Sequence, residues 1–424
     1  MKNDYKRFID SFKSIVIGTD RPMISFSDIK EAYEVVNTVV KQTAVKKSKT
    51  FSEMTSSNLF LKMENLQLTG SFKIRGAYNK IYHLSKKEKD NGVVCSSAGN
   101  HAQGVALASS MLDVKSTVFM PIFAPPTKIN ATKSYGATVF LKGKTYDEAY
   151  QAAKEFEQKN QATFVHAFND NLVIAGQGTI GIELIEQVKD IDVILVPIGG
   201  GGLISGISVA VKKLNPKTKI IGVQAKGAQA MIKSMNAKRV VSMKDMSTIA
   251  DGIAVKTPGE ITLQIIKDHV DKIVTVTDAE IAQTMYHLLQ RAKLIVEPAG
   301  AASLAAMLHD KVRYSGKNVV CVLSGGNVNL SLLDQVIEQG MMHDHLMARM
   351  SIIAPDKSKI LKDIIAVLSS INANVQSIDL DRSTTSVPVG SVNILLTFQT
   401  LGLDQIMFIK DEIEKKGFHC ELSS

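Results

Sequence analysis

The chain has 424 residues, too many for one ordinary hydrophobic core, so two domains are expected. Hydrophobic residues at 45% and charged residues at 21% describe a soluble globular protein. The formal charge of +9 is spread over pairs and triplets of Lys and Arg without longer blocks, and tryptophan is absent, so neither nucleic acid nor a membrane surface is the expected partner.

Residues 1–13 mix Lys, Arg and Asp without a continuous apolar core, which is not the pattern of a secretory signal, and no later run approaches membrane-spanning length. Cys95, Cys321 and Cys420 lie far apart with no C-x-x-C spacing and read as reduced thiols of a cytoplasmic protein. Tyr5, Phe8, Ile9, Phe12 and Val16 recur at helical spacing, as in an extension (1–24) that docks on its own protein or a sister subunit.

Regular periodicity begins at Ser25-Phe26-Ser27-Asp28, which resembles a capping box ahead of the stripe Ile29, Ala32, Tyr33 and Val36. A strand-like run at 59–63 leads into Thr69-Gly70-Ser71-Phe72-Lys73-Ile74-Arg75-Gly76-Ala77. Small, apolar and aromatic neighbours strip hydration from Lys73 and favour the neutral amine that attacks an aldehyde; the alternative is a solvated surface lysine. The run 93–95 precedes Ser96-Ser97-Ala98-Gly99-Asn100-His101-Ala102-Gln103-Gly104, a capped helix start whose exposed amides suit a carboxylate.

Strand-length runs at 117–120, 138–141, 191–198, 219–223, 273–276 and 318–323 alternate with helical patterns at 146–156, 179–188, 203–214 and 279–292, which predicts an α/β fold of parallel sheets covered by helices. Gly199, Gly200, Gly201, Gly202 and Leu203 follow the run at 191–198 and open a helix. Consecutive amides with no side chain in the way surround a phosphate, whereas a tight turn rarely needs four glycines. A dinucleotide would want an acidic residue about 20 positions on, and Ile221-Gly222-Val223-Gln224 offers none. Ser324, in Ser324-Gly325-Gly326-Asn327 after the run at 318–323, is a neutral partner for a pyridine nitrogen or an ordinary turn serine.

The pattern changes near 340–345, so the catalytic unit is expected at 25–338 and a second at 346–424. His343 and His345 have no third partner nearby, and no metal site is expected. Beyond them the runs 346–353, 358–371, 374–380, 389–398, 403–416 and 418–422 spell βαββαβ, a small ferredoxin-like unit.

Together these stretches resemble the fold-type II pyridoxal-phosphate enzymes, and more closely the threonine dehydratases (threonine ammonia-lyases), over about residues 25 to 335. The S-F-K-x-R-G-A, S-A-G-N-H-A-Q-G, tetraglycine and S-G-G-N signatures stand in the family's order, joined by Gly176-Gln177-Gly178-Thr179, Ala250-Asp251-Gly252 and Glu297-Pro298-Ala299-Gly300-Ala301. The resemblance implies a two-lobed fold. It makes Lys73 the Schiff-base residue and proton acceptor at Cα, Gly199 to Gly202 with Leu203 the phosphate cradle, Asn100 the partner of the ring hydroxyl and Ser324 that of the ring nitrogen. Ser97, Gly99 and His101 then lie around the substrate carboxylate, and the cofactor phosphate is the acid for the departing hydroxyl. The implied reaction takes L-threonine to 2-oxobutanoate and ammonia, with L-serine as a second substrate; a serine-preferring dehydratase and a non-catalytic amino-acid or phosphate-ligand-binding protein are the alternatives.

Two departures refine the expectation. Related serine racemases carry a second, serine base where this chain has Ala98, and a metal-ligating glutamate where it has Gln224; the comparison implies elimination with little racemisation and argues against a tight divalent metal site. The last unit resembles an ACT domain, which implies an amino-acid or nucleotide effector and a homo-oligomer. Its first turn, Asp356-Lys357-Ser358-Lys359, puts a bulky lysine where that family has glycine.

Overall fold

The computed structural model describes residues 23–423, and the apolar stripe from Tyr5 to Val16 lies outside them. Contacts divide the chain after Val328.

The first unit carries β1 (Val45–Lys47), β2 (Asn58–Lys62), β3 (Val93–Ser96), β4 (Ser116–Met120), β5 (Thr138–Leu141), β6 (Thr163–Phe164), β7 (Val193–Pro197), β8 (Lys219–Ala225), β9 (Lys272–Val276) and β10 (Asn318–Val322). They form two sheets, one ordered β1-β2-β10-β7-β8-β9 and the other β5-β4-β3-β6. Every pairing is parallel except β1 with β2. Each residue of β3 and β7 is buried, as central parallel strands covered on both faces require. That is why both read as uninterrupted apolar runs.

Ser25 caps the Phe26–Val36 helix and Asp28 completes the capping box, with Ile29, Ala32 and Val36 buried. The helix expected at 179–188 instead spans Asn171–Gln187. Its first half contains Gly176 and Gly178, which lower helix propensity. The reason for the glycine lies in a neighbour: a Cβ on Gly176 would stand 2.5 Å from the carbonyl oxygen of Arg75, so only glycine lets this helix touch the one that begins at Lys73. The pattern at 279–292 resolves into an α-helix, Asp278–His287, then a π-helical turn, Leu288–Ala292, closed by Lys293 at φ 59°.

In the second unit the Leu330–His343 helix precedes β11 (Met347–Pro355), the Ser358–Ser370 helix, β12 (Asn374–Asp381), β13 (Ser391–Gln399), the Leu403–Lys415 helix and β14 (His419–Ser423). The sheet is antiparallel throughout, in the order β12-β13-β11-β14. Both helices after β11 bury one apolar stripe, including Ile364, Leu368, Ile409 and Ile413, against Met350, Ile352, Leu396 and Phe398. The division falls one helix earlier than the interval 338–346 marked by the sequence pattern. Leu330–His343 packs on β11, and Arg349 of that strand pairs with Glu338 of the helix at 2.7 Å. No helix among the described residues is long and apolar enough to cross a membrane.

Candidate active site

Strands β2 and β10 are parallel neighbours, so the loops leaving their C-terminal ends run side by side. Ser71 bridges to Gly325, and the amide of Phe72 donates to the carbonyl of Ser324 at 3.2 Å. The helix Lys73–Tyr82 starts directly afterwards with no side-chain cap. This delivers Lys73 to the cleft between the two sheets of the first unit. Its ammonium nitrogen donates to the carbonyl of Ala167 at 3.0 Å and lies 5.2 Å from the centre of the Phe72 ring. Burial brings the amine down to about 8, with the charge of Glu297 opposing the shift. About a tenth of the amine is therefore neutral at pH 7, far more than for an ordinary lysine.

The second element is the helix Asn100–Met111, which follows β3. Gly99 occupies its N-cap and no side chain caps it, leaving the first amides available. Ser97 Oγ accepts the amide of Gly99 at 3.2 Å. The Nδ2 of Asn100 donates to Glu297 Oε1 at 2.7 Å, and its Oδ1 accepts from Asn327 Nδ2 at the same distance. His101 is buried with Nε2 2.8 Å from the carbonyl of Val165, and burial, helped by Lys73, pushes its ring down to about 3. The imidazole is a neutral internal tie, so what this position offers a carboxylate is its backbone amide.

The third is the glycine turn between β7 and the helix Gly202–Leu214. Gly201, at φ +98°, is the N-cap, and no side chain caps the helix. The turn is pressed on its other side: a Cβ on Gly200 would overlap the Phe168 ring, and one on Gly202 would lie 3.0 Å from Phe168 Cα. Thr262 Oγ1 holds the Gly200 carbonyl at 2.7 Å. Packing thus consumes the Cα faces, while the amides of Gly202 and Leu203 stay uncapped at the positive end of a helix, the chemistry a phosphate needs. Gly200→Ala should cost about 1–3 kcal/mol by overpacking and loosen any phosphate ligand, read by thermal unfolding and equilibrium dialysis.

Ser324, 3% exposed, completes the set at the end of β10. The sequence-marked residues Lys73, Ser97, Gly99, Asn100, the glycine turn and Ser324 are therefore brought to the C-terminal ends of three strands, β3, β7 and β10, and to the loop after β2.

Three other participants were not singled out individually. Phe168 and His166 sit on the loop after the two-residue β6, where His166 Nδ1 accepts the amides of Phe168 and Asn169 at 3.2 and 2.9 Å. Burial keeps that ring near 4, and therefore neutral. Glu297, 4% exposed, is the third. Away from this cluster, Gln224 spends both ends of its amide on backbone, donating to the Ala228 carbonyl at 3.1 Å and accepting the Ile232 amide at 3.0 Å. Among the described residues no group of three or more His, Cys, Asp and Glu side chains is arranged to hold a metal ion.

A desolvated lysine beside an uncapped phosphate-type helix end fits an aldehyde-bearing phosphate cofactor. Residues 36–325 match the family described as pyridoxal-phosphate dependent enzyme. The L-threonine ammonia-lyase of Thermotoga maritima is 45% identical over 400 residues, covering 94% of this chain and all of that one. Among solved structures, maize serine racemase superposes with a TM-score of 0.72 at 35% identity over 76% of this chain and all of that one. The processed form of threonine deaminase isoform 2 from Solanum lycopersicum gives 0.70 at 36% identity over 75% of this chain and 95% of that one. The chain belongs to the pyridoxal-phosphate-dependent fold-type II enzymes and, among them, to the threonine ammonia-lyase (threonine dehydratase) family.

Proposed function

We propose that the protein deaminates L-threonine to 2-oxobutanoate and ammonia, with L-serine as a second substrate, at the cleft holding Lys73. The observation that carries this reading is the pairing of a lysine amine brought down to about 8 with an uncapped glycine-lined helix end. Bound there, pyridoxal phosphate supplies a conjugated ring that accepts negative charge developing at the substrate Cα. Lys73 is its attachment point. The amides from Gly199 to Leu203 hold the phosphate, Asn100 meets the ring hydroxyl, and Ser324 meets the ring nitrogen without fixing a proton on it.

The substrate carboxylate is placed at the uncapped start of the Asn100–Met111 helix, where Ser97 and the amides around Gly99 and His101 orient it. Once released from attachment, Lys73 Nζ takes the Cα proton, and its low pKa keeps a fraction of the amine neutral for that task. Ala98 offers no proton-exchanging group on the opposite face, so loss of the β-hydroxyl follows instead of inversion. Incubating the purified holoenzyme with L-threonine should yield 2-oxobutanoate and ammonia with little D-allothreonine, the epimer at Cα, by chiral chromatography. D-allothreonine formed as fast as 2-oxobutanoate would contradict the single-base reading.

The low amine pKa has a second consequence. Uptake of pyridoxal phosphate by the cofactor-free protein should accelerate about tenfold per pH unit up to pH 8 and then level off, because only the neutral amine attacks the aldehyde. A rate still climbing at pH 10 would place Lys73 at its ordinary value. For the second unit we propose an ACT-like role in subunit pairing or effector sensing within a homo-oligomer. Support comes from its βαββαβ order and from the bidentate pair between Arg382 and Asp356, at 2.7 and 3.0 Å, beside the first turn.

A further inference from the structure

We infer that Glu297 is a positioning residue which, together with Asn327, locks the Asn100 carboxamide so that it meets the cofactor ring oxygen only as a hydrogen-bond donor. The inference rests on the proposed placement of Asn100 at the ring hydroxyl and extends it to residues that touch neither cofactor nor substrate.

The direction of the relay follows from its fixed end. The carbonyl of Thr69 only accepts, so the Asn327 atom 2.7 Å from it is the amide nitrogen. That nitrogen also lies 2.7 Å from the Asn100 side chain, whose facing atom must therefore be the oxygen. The nitrogen of Asn100 is left to face Glu297 Oε1, at 2.7 Å, as donor. A flip of either amide would set two donors or two acceptors against each other. Among the described residues one N–H of Asn100 Nδ2 remains uncommitted, and its Oδ1 is already engaged by Asn327.

Glu297 is built for this contact. It occupies the N-cap of the helix Pro298–Leu308, where a carboxylate ordinarily accepts its own helix amides, yet it makes no capping bond. The π-helical turn at Leu288–Ala292 and the left-handed Lys293 bend the approach to it, and its amide is tied to the Gly325 carbonyl at 3.0 Å. Gly325 must lack a side chain, because a Cβ there would collide with Glu297 Oε1 and stand 3.2 Å from Asn100 Nδ2. Burial, reinforced by the charge of Asp251, raises the Glu297 carboxyl to about 8. It therefore acts mainly as a neutral partner to the amide near neutral pH. A donor facing the ring oxygen favours its anionic form.

The test is a visible-absorbance pH titration of the holoenzyme, from pH 6 to 10, with cofactor retention measured by dialysis. Asn100→Ala should move the titration midpoint and weaken retention about tenfold, the loss of one charge-assisted hydrogen bond. Glu297→Ala and Asn327→Ala should shift the midpoint in the same direction. Glu297→Gln, whose side-chain oxygen still accepts from Asn100, should restore the wild-type midpoint. In the Asn100→Ala background, Glu297→Ala should add nothing. Shifts that sum in the double variant, or a wild-type midpoint in both Glu297→Ala and Asn327→Ala, would overturn the relay. An unchanged titration in Asn100→Ala alone would instead overturn the placement of Asn100 at the ring.

Discussion

Replacing Lys73 with alanine should lower threonine deamination by about four orders of magnitude or more, because in the proposed reaction one side chain supplies both the covalent attachment and the proton acceptor at Cα. The fold should survive. Among the described residues Lys73 Nζ makes a single hydrogen bond, to the Ala167 carbonyl, and its amine is desolvated at a cost that alanine removes. Alanine also suits the first position of the Lys73–Tyr82 helix. Denaturant midpoints of the cofactor-free variant should therefore match or slightly exceed those of the cofactor-free wild type, while in the variant the cofactor absorbance no longer resists dialysis. Activity above about one percent of wild type would require a second base, contrary to elimination with Lys73 as the single base and an inert Ala98 on the opposite face. Added small primary amines should restore part of the turnover, since they supply neutral nitrogen to the space that Lys73 Nζ vacates.

The parts of the site legible in the sequence are those whose chemistry is local. A strand followed by four glycines and a helix declares its amides whatever surrounds it, and Lys73 is recognisable from its own neighbours. Glu297 and Asn327 stand in stretches that the resemblance marks, but their contact with Asn100 leaves no local trace, because it spans 197 and 227 residues of chain respectively. Phe168 is hidden for another reason: its loop follows a strand of two residues, too short for any periodicity. His101 shows the converse. Its segment is readable as a helix start, but only the fold reveals that the ring is turned to the Val165 carbonyl. The same holds for helix lengths. Gly176 reads as a breaker locally and is required globally, because the carbonyl of Arg75 lies against it. The two units meet the sequence differently again: the Leu330–His343 helix has an unremarkable pattern, and its packing on β11 settles which unit claims it.

Replacing Arg75 with methionine should destabilise the protein by about 3–5 kcal/mol, the cost of leaving buried carboxylates without their partner. Arg75 follows Lys73 by two residues and lies wholly inside, as do Lys62, Glu64 and Glu183. Its guanidinium donates to Glu64 at 2.8 and 2.9 Å and to Glu183 at 2.6 and 3.0 Å, while Lys62 holds Glu183 at 2.5 Å and the Thr43 carbonyl at 2.7 Å. Two cations thus balance two anions. Methionine leaves a net negative charge among fully buried side chains. Burial alone would raise the Glu64 carboxyl, but the charge and hydrogen bonds of Arg75, with Lys62, outweigh it and hold it below its usual range. In the wild type its stabilisation is therefore present above the ordinary glutamate value of 4.5 and is lost as the pH falls. In Arg75→Met the balance reverses: desolvation is unopposed for at least one carboxyl, its folded pKa rises above the unfolded one, and the folded state takes up protons as the medium acidifies. Urea midpoints measured from pH 8 to 5 should then rise for the variant relative to the wild type, narrowing the gap between them. Pairing Arg75→Met with Glu183→Met removes one charge of each sign and should cost less than the two single losses added together. A constant gap across that pH range, or strictly additive losses, would show that the four groups do not share one charge balance beneath Lys73.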